Sequence, residues 1–311
     1  MIKLPKQLKF TSISYFCKTP FDIVCPRFWE LKWIVGCPWN CSYCYLQGTL
    51  FGRKNLIKRK PLNKVVNELD RLFKWATEEK LQILLNSGEV ADSCAVVSAF
   101  SEFLKVCSPL LKSYGVHKVL LVTKGGKREI KPLLDLPYCY RRFYITSFSI
   151  NAIPVAKKYE KGPPNVLERI EAAKLCQENG YEVRIRLDPI IPVEGWKKAY
   201  DELIDFMFSI YELQPSRITL GTLRGLLKTI RFTNDKSWLI YLQNGEKTGW
   251  GLKMPENKRI EVYSYVLDSI RRYHNKDTAL CKETTRIWKM LNLQPPGMAP
   301  IWANCKCNCV P

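Results

Sequence analysis

Histidine is nearly absent from this sequence, and the motifs of several large enzyme classes are missing. Only two of the 311 residues are histidines, His117 and His274, which is too few for a histidine-based metal or acid–base centre. The sequence contains no Walker A loop, no G-x-G-x-x-G run, no G-x-S-x-G elbow and no H-E-x-x-H helix. These absences argue against the corresponding nucleotide-binding, hydrolase and metalloprotease classes.

Long apolar runs are also missing. No stretch of 18 apolar residues occurs, so we expect no membrane span. No apolar stretch follows the lysines near the start of the chain, so we expect no secretory signal. We therefore predict a cytoplasmic protein without a membrane partner. In a reducing compartment, the thirteen cysteines are more typical of metal binding than of disulfides.

Acidic residues are outnumbered. The chain has 49 Lys and Arg against 29 Asp and Glu, a formal net charge of +20. A balance of this kind favours a polyanionic partner, so we predict binding to nucleic acid, either DNA or RNA. The alternative is a general lysine bias of the kind found in thermophiles or AT-rich genomes.

Apolar, β-rich runs alternate with helix-length amphipathic segments along most of the chain. Such alternation predicts an α/β fold with a mostly parallel sheet, either open or curled into a partial barrel. We divide the chain into an N-terminal extension (1–30), the α/β core (31–221) and a C-terminal region (222–311) with a basic hairpin and a cysteine-rich tail. The predicted strands are Leu31–Val35, Leu81–Leu85, His117–Val122, Phe143–Phe148, Tyr181–Leu187 and Arg217–Leu220.

Three cysteines follow the first predicted strand with the spacing C-x3-C-x2-C: Cys37, Cys41 and Cys44. Three thiolates on a short loop can hold three irons of a 4Fe–4S cube, which normally takes four cysteines. The fourth iron would remain open to a small molecule. The alternatives are a zinc knuckle or buried thiols.

This cysteine loop resembles the signature of radical S-adenosylmethionine (SAM) enzymes. The run Tyr43-Cys44-Tyr45-Leu46-Gln47 is similar to the spore photoproduct lyase group, also labelled DNA repair photolyase-like. The resemblance implies a (βα)6 partial barrel, a 4Fe–4S cluster, SAM and an electron donor such as flavodoxin or ferredoxin. It also implies reductive cleavage of SAM to a 5′-deoxyadenosyl radical that acts on a substrate.

Polar residues at the ends of the other strands supply groups that SAM would require, since ligands bind at the carboxyl ends of parallel strands. The Ser87-Gly88-Glu89 turn resembles the family's GGE motif, which binds the SAM amino group. Lys124 would meet the SAM carboxylate. Each residue has an ordinary structural alternative as a turn or packing residue. The implied SAM-binding set is Tyr43, Ser87, Gly88, Glu89, Lys124, Ser149, Asn151, Arg186 and Asp188.

One position departs from the family pattern. The lyase carries a hydrogen-donating cysteine just after its second strand, where this sequence has Glu89. A carboxylate has no weak S–H bond, so Cys94 becomes the candidate donor thiol. We expect the same radical chemistry on another substrate, either a DNA lesion or an RNA nucleotide. The alternatives are a radical SAM enzyme that modifies a protein or small metabolite, and a zinc-stabilised nucleic-acid-binding module.

Two features of the C-terminal region complete the sequence-based predictions. The passage Gly249-Trp250-Gly251-Leu252-Lys253 looks like the lyase hairpin that enters DNA, or is an ordinary exposed hairpin. The cysteines near the end of the chain predict a second iron–sulfur cluster, a zinc site or redox-active thiols, with loosely packed thiols as the alternative. These cysteines are Cys281, Cys305, Cys307 and Cys309.

Overall fold

A computed structural model describes residues 8–275, 278–293 and 306–311. They form a central eight-stranded sheet whose strands follow each other in chain order from one edge to the other. The first strand is antiparallel to the second, and all later neighbours are parallel. The strands are β1 (Ile13–Phe16), β2 (Phe28–Leu31), β3 (Leu84–Asn86), β4 (Lys118–Thr123), β5 (Tyr144–Ser149), β6 (Glu182–Ile190), β7 (Arg217–Thr222) and β8 (Thr278–Leu280).

Helices connect the successive parallel strands, as crossover connections require. The first of these helices carries a stripe of apolar residues on one face. Val65, Leu69, Leu72 and Phe73 of this stripe are fully buried. The fourth starts at a reciprocal cap between Asn165 and Glu168. The connecting helices are α1 (Leu62–Glu78), α2 (Val97–Tyr114), α3 (Lys127–Leu134), α4 (Val166–Glu178), α5 (Trp196–Asp205) and α6 (Glu256–Arg271).

Shorter elements decorate this frame. Single-turn and irregular helices cover Leu46–Thr49, Tyr138–Arg141, Ile153–Tyr159, Phe206–Ile210, Leu227–Phe232, Ser237–Leu242 and Thr285–Met290. Short antiparallel ladders join Ile23–Val24 to Glu283–Thr284, Ile34–Val35 to Lys58–Arg59, Asn40–Cys41 to Glu160–Lys161, and Gly251–Lys253 to both Arg224–Gly225 and Glu246–Thr248.

The predicted α/β class with a mostly parallel sheet is confirmed, and its closure into a partial barrel stays a prediction. The first predicted strand, Leu31–Val35, is wrong: the sheet strand is Phe28–Leu31, and Ile34–Val35 pairs with Lys58–Arg59 instead. Strand β8 was not predicted, because its three residues are too few to show a pattern. The division at residues 31 and 222 stays a prediction. Among the described residues no helix is long and apolar enough to cross a membrane.

Candidate functional site

The cysteine loop crosses closely over the turn that follows β3. Gly36 has a φ of +100°, donates its N–H to the Val90 carbonyl at 2.9 Å and bridges to Ala91. A Cβ atom at Gly36 would lie 2.8 Å from the Lys54 carbonyl oxygen. Only glycine combines this backbone conformation with so close a contact. Gly36 therefore sets the path on which the three cysteines follow.

Neighbouring segments hold the loop on both sides. The Cys37 N–H donates to the Lys54 carbonyl at 2.7 Å, and the buried Lys54 ammonium bonds the Trp39 carbonyl. Cys41 pairs with Glu160 in a short antiparallel ladder. These contacts use the backbone of the loop, while backbone N–H groups of the same segment donate to the Cys37 and Cys44 sulfurs.

The cysteines are largely removed from water. Burial raises the pKa of the Cys37 thiol to about 12 and also raises the pKa values of Cys41 and Cys44. Without metal these groups are therefore protonated thiols near neutral pH. Binding of iron would release those protons, which couples metal uptake to pH.

All three cysteines line one cavity of about 460 Å³ at the carboxyl ends of the parallel strands. The sequence-based prediction that the strand ends share a site agrees with this placement. The predicted residues that line the cavity are Cys37, Cys41, Tyr43, Cys44, Gly88, Glu89, Lys124, Ser149, Arg186, Asp188 and Cys281.

The turn after β3 depends on Gly88. A Cβ atom there would lie 2.3 Å from Cβ of Val122 on the neighbouring strand β4. The turn consequently packs against β4 and presents Glu89 to the cavity. The Glu89 carboxylate accepts from Nδ2 of Asn86 at 3.1 Å and lies 3.6 Å from Nζ of Lys282.

A buried carboxylate that the sequence did not reveal organises the next part of the wall. The Glu160 side chain is fully buried and pairs with Nζ of Lys124 at 2.8 Å and with Nη1 of Arg169 at 2.5 Å. It also accepts a hydrogen bond from the Tyr43 hydroxyl. Burial favours the neutral acid, yet the two cations lower the pKa of Glu160 to about 2. Glu160 thus positions both Lys124 and Tyr43.

A second charged group lies at the end of β6. Asp188 accepts two hydrogen bonds from Nη2 of Arg224, at 2.7 and 2.9 Å, and lies 3.4 Å from Nη2 of Arg186. Although burial alone would raise it, Arg224 and Arg186 hold the pKa of Asp188 well below its usual range. Arg186 also approaches the Cys281 sulfur at 3.5 Å. This part of the wall therefore carries an excess of positive charge.

Three residues that were predicted to contact SAM or substrate lie off the cavity. The Ser87 hydroxyl is buried against the Ser93 hydroxyl at 2.7 Å. The Asn151 amide bonds the Pro189 carbonyl and the Tyr200 hydroxyl. Cys94 is fully buried in the core. Their polar groups hold the strand ends in place, so their predicted contacts with SAM or substrate do not fit this structure.

The tail packs across the face of the sheet that β5, β6 and β7 form. Asn308 is fully buried and its Nδ2 donates to Ser147 Oγ at 2.9 Å and to the Ile185 carbonyl at 3.0 Å. Thr219 Oγ1 donates to Asn308 Oδ1 at 2.8 Å. These bonds link the tail to β5, β6 and β7.

Anchoring of Asn308 brings the neighbouring thiols to the floor of the site. The Cys309 sulfur lies 3.5 Å from Nδ2 of Asn86 and 3.8 Å from Nη1 of Arg186. Cys281, Cys307 and Cys309 line a small pocket that shares Arg186 with the main cavity. Cys305 lies outside the described residues. Within the part of the chain that the structure describes, no three His, Cys, Asp or Glu side chains lie in positions that could hold a single metal ion.

The predicted hairpin forms, but its tip is not free. Gly249 and Trp250 make the turn, and the Gly249 N–H donates to Oδ2 of Asp22 at 3.0 Å. The Trp250 ring lines the cavity, 4.6 Å from the Lys282 ammonium. Lys253 is fully buried, so the hairpin is less basic at its surface than the sequence suggested.

Comparison with known proteins identifies the family. The family model described as spore photoproduct lyase matches residues 28–286, most of the chain and all the cavity-lining strand ends from β2 to β8. The chain belongs to the spore photoproduct lyase family. The resemblance seen in the cysteine loop is thereby confirmed.

Comparison with individual proteins gives the same family. A spore photoproduct lyase of Clostridium acetobutylicum is 28% identical over 57% of this chain and 50% of its own length. One from Geobacillus sp. is 26% identical over 81% of this chain and 70% of its own length. The chain spans about half the length of the matched lyases of C. acetobutylicum and Bacillus subtilis.

Solved structures of the family share the fold. A double mutant of spore photoproduct lyase with bound AdoMet and dinucleoside spore photoproduct superposes with a TM-score of 0.68 at 21% identity, covering 90% of this chain and 80% of that one. A single-site mutant of the lyase gives a TM-score of 0.69 at 20% identity, covering 90% and 81%. At this identity the likeness concerns the fold.

Several residues of the site escaped the sequence-based prediction. Glu160 and Arg169 lie within or beside helices and carry no motif. Arg224 follows β7, a strand that was predicted but whose end was not searched for site residues. Lys282 follows β8, so the rule that sites form at strand ends would have found it once that strand was known. Lys282 also has a φ of +49°, a strained conformation that the sequence does not show.

Proposed function

We propose that this protein is a radical SAM enzyme that acts on nucleic acid. The observation that carries the proposal is a cavity of about 460 Å³, which the three cysteines share with charged groups from the ends of five other strands. Cysteine thiols, carboxylates and cations in one place suit an iron–sulfur cluster beside a zwitterionic ligand.

The cysteine loop fits a 4Fe–4S cluster. Cys37, Cys41 and Cys44 would hold it, and three thiols leave one of the four irons for SAM. When bound, the cluster supplies the electron that cleaves SAM into methionine and a 5′-deoxyadenosyl radical. The chain's own residues bind and orient the reactants and keep water away from them.

The cavity wall offers a partner for each part of SAM. We assign the SAM ammonium to the Glu89 carboxylate and the SAM carboxylate to Lys124. Ser149 and Asp188 suit the ribose hydroxyls, and Tyr43 the adenine. We no longer include Asn151 among the SAM-binding residues, because its amide is already hydrogen-bonded within the protein.

The net charge of the chain and its family relationship both bear on the class of substrate. The net charge of +20 favours a polyanion, and structures of the related lyase contain a dinucleoside spore photoproduct. Glu89 stands where the family resemblance places a donor thiol. We therefore propose a different DNA lesion or an RNA nucleotide as the substrate.

A donor thiol remains available on the wall of the cavity. Among the described cysteines outside the cysteine loop, Cys281 alone lines the main cavity, so it replaces the buried Cys94 as the candidate donor. The electron donor would be a flavodoxin or ferredoxin. A cytoplasmic location and a second cluster or zinc site in the tail remain predictions.

Two measurements on anaerobically reconstituted protein test this function. Incubation with SAM and an oligonucleotide deuterated in its sugars and thymine methyls should move deuterium into 5′-deoxyadenosine. No 5′-deoxyadenosine under any reducing condition would contradict the enzyme class. Formation of 5′-deoxyadenosine without label from DNA or RNA would contradict the substrate class and favour a protein or metabolite.

The SAM assignment has its own test. Loss of a charge-assisted hydrogen bond costs about 1.5–3 kcal/mol, so Glu89→Gln should weaken SAM binding roughly ten- to a hundred-fold. The exposed Glu79→Gln, at the end of α1, serves as the control and should bind SAM normally. Unchanged affinity in Glu89→Gln would show that the turn after β3 is only structural.

A further inference from the structure

An exposed aromatic and basic surface borders the mouth of the cavity. It comes from the turn after the short helix Leu46–Thr49 and from the helix Leu227–Phe232. Phe51 is 54% exposed and Leu227 is 83% exposed, which is far more than large apolar side chains usually show. We call it the rim surface; it consists of Phe51, Arg53, Leu227, Lys228, Arg231 and Phe232.

The rim surface is continuous with the cavity. Thr49 and Leu226, which adjoin it in sequence, both line the cavity. The two short helices touch at Gly48, where a Cβ atom would lie 2.4 Å from the Thr229 nitrogen. Farther along, Thr233 Oγ1 donates to the carbonyl of Ser42, inside the cysteine loop, at 2.7 Å. A ligand on the rim surface would therefore be held in a constant position relative to the three cysteines.

Cations lie next to both rings of this surface, the exposed Phe51 and the half-buried Phe232. The Lys228 ammonium lies 4.7 Å from the centre of the Phe51 ring, and the Arg231 guanidinium lies 5.6 Å from that of Phe232. The two rings meet edge to face, with centres 5.7 Å apart. Aromatic faces next to mobile cations are the combination that binds nucleic-acid strands, since bases stack on the rings and phosphates meet the charges.

The backbone at Phe51 is strained. Its φ is +50°, a region that residues other than glycine, asparagine and aspartate rarely adopt. This left-handed residue closes the end of the helix Leu46–Thr49, where the Gly52 N–H donates to the Gln47 carbonyl at 2.7 Å and where glycine is the usual residue. Burial does not explain the phenylalanine, because more than half of its side chain is exposed. The Phe51 ring contacts Phe232 within the chain, and its exposed part is accessible to a ligand.

We propose that the rim surface binds a nucleic-acid strand beside the cavity, with a base stacked on Phe51 and phosphates at Lys228 and Arg231. The proposal rests on the proposed function and adds the surface that brings the strand to the site. The chain's net charge of +20 favours an anionic ligand. The continuity with the cavity favours a nucleic-acid strand over an anionic membrane.

Fluorescence anisotropy with a labelled single-stranded oligonucleotide tests the proposal. Stacking on one aromatic ring is worth roughly five-fold or more in affinity, so Phe51→Ala should weaken binding by at least that factor. Phe51→Gly should weaken it equally while the melting temperature stays level or rises, because glycine adopts the positive φ without strain. Lys228→Gln should lower the salt slope by about 0.7.

Tyr138 provides the matched control. It is 77% exposed and carries Arg141 at 5.7 Å from its ring, but it lies against Gly180, near the opposite end of β6. Tyr138→Ala should bind the oligonucleotide as the wild type does.

Three results would overturn the proposal. They are equal binding by the Phe51 variants and the wild type, a fall in melting temperature in Phe51→Gly that parallels its loss of binding, and binding to phosphatidylserine vesicles without binding to the oligonucleotide. If the wild type binds no oligonucleotide, the nucleic-acid part of the proposed function fails as well. Equal binding by all variants removes the rim surface alone.

Discussion

Replacing Glu160 by glutamine should destabilise the protein strongly. The carboxylate is fully buried between Arg169, whose side chain is 1% exposed, and Lys124, whose side chain is 15% exposed. Glutamine keeps the shape but removes the charge, so one fully buried cation and one nearly buried cation lose their partner. Breaking a buried ion pair on one side typically costs about 3–5 kcal/mol. That is a large part of the 5–15 kcal/mol by which proteins are usually stable.

Urea unfolding of metal-free protein under reducing conditions would measure this loss. The control is Glu102→Gln, which breaks the Arg59 pair with both side chains at least 50% exposed and should cost less than about 1 kcal/mol. In the double variant Glu160→Gln/Arg169→Gln, the loss should be smaller than the sum of the single losses. A loss below about 1 kcal/mol for Glu160→Gln would refute the reasoning that its charge holds Lys124 and Tyr43 in place.

Two further predictions concern the tail and the core. Asn308→Ala removes the acceptor of the buried Thr219 hydroxyl, which should cost about 1–3 kcal/mol and speed alkylation of Cys309 by iodoacetamide. Unchanged alkylation would contradict the anchoring. His117 is buried, and burial lowers its pKa. As the pH falls, the histidine of the unfolded chain therefore takes up a proton at a higher pH than that of the folded chain. The free energy of unfolding should fall below about pH 6.5, by up to about 1.4 kcal/mol per pH unit. Urea unfolding at pH 7.5 and 5.5 should show a smaller fall in His117→Gln, and equal falls would contradict this assignment.

The parallel sheet was predictable because its central strands are continuous apolar runs separated by amphipathic helices. Strands β4, β5, β6 and β7 start and end within a few residues of their predicted positions. The first strand was misplaced because Leu31–Val35 is the more apolar run, although the sheet pairs Trp29 with Leu85. Pairing across the sheet decides between neighbouring apolar runs, and a single sequence does not contain that information.

The site was predictable where the chemistry is local. The cysteine spacing and the strand-end rule located the cavity wall, including Glu89, Lys124 and Asp188. They missed Glu160, which meets Tyr43 across 117 positions of the chain. They also missed the packing of Asn308 across β5, β6 and β7. Contacts between residues so far apart in the sequence depend on how the strands and helices pack, and no local residue pattern predicts them.

The measurement closest to the central claim is the formation of 5′-deoxyadenosine from SAM by the anaerobically reconstituted protein. Wild-type protein should contain about four irons per chain on the cysteine loop and should produce 5′-deoxyadenosine when reduced by dithionite. The triple variant Cys37→Ala/Cys41→Ala/Cys44→Ala should lose both properties, whereas the control Cys139→Ala, at an exposed thiol, should keep both. A triple variant that still cleaves SAM would contradict the claim that this loop holds the catalytic cluster.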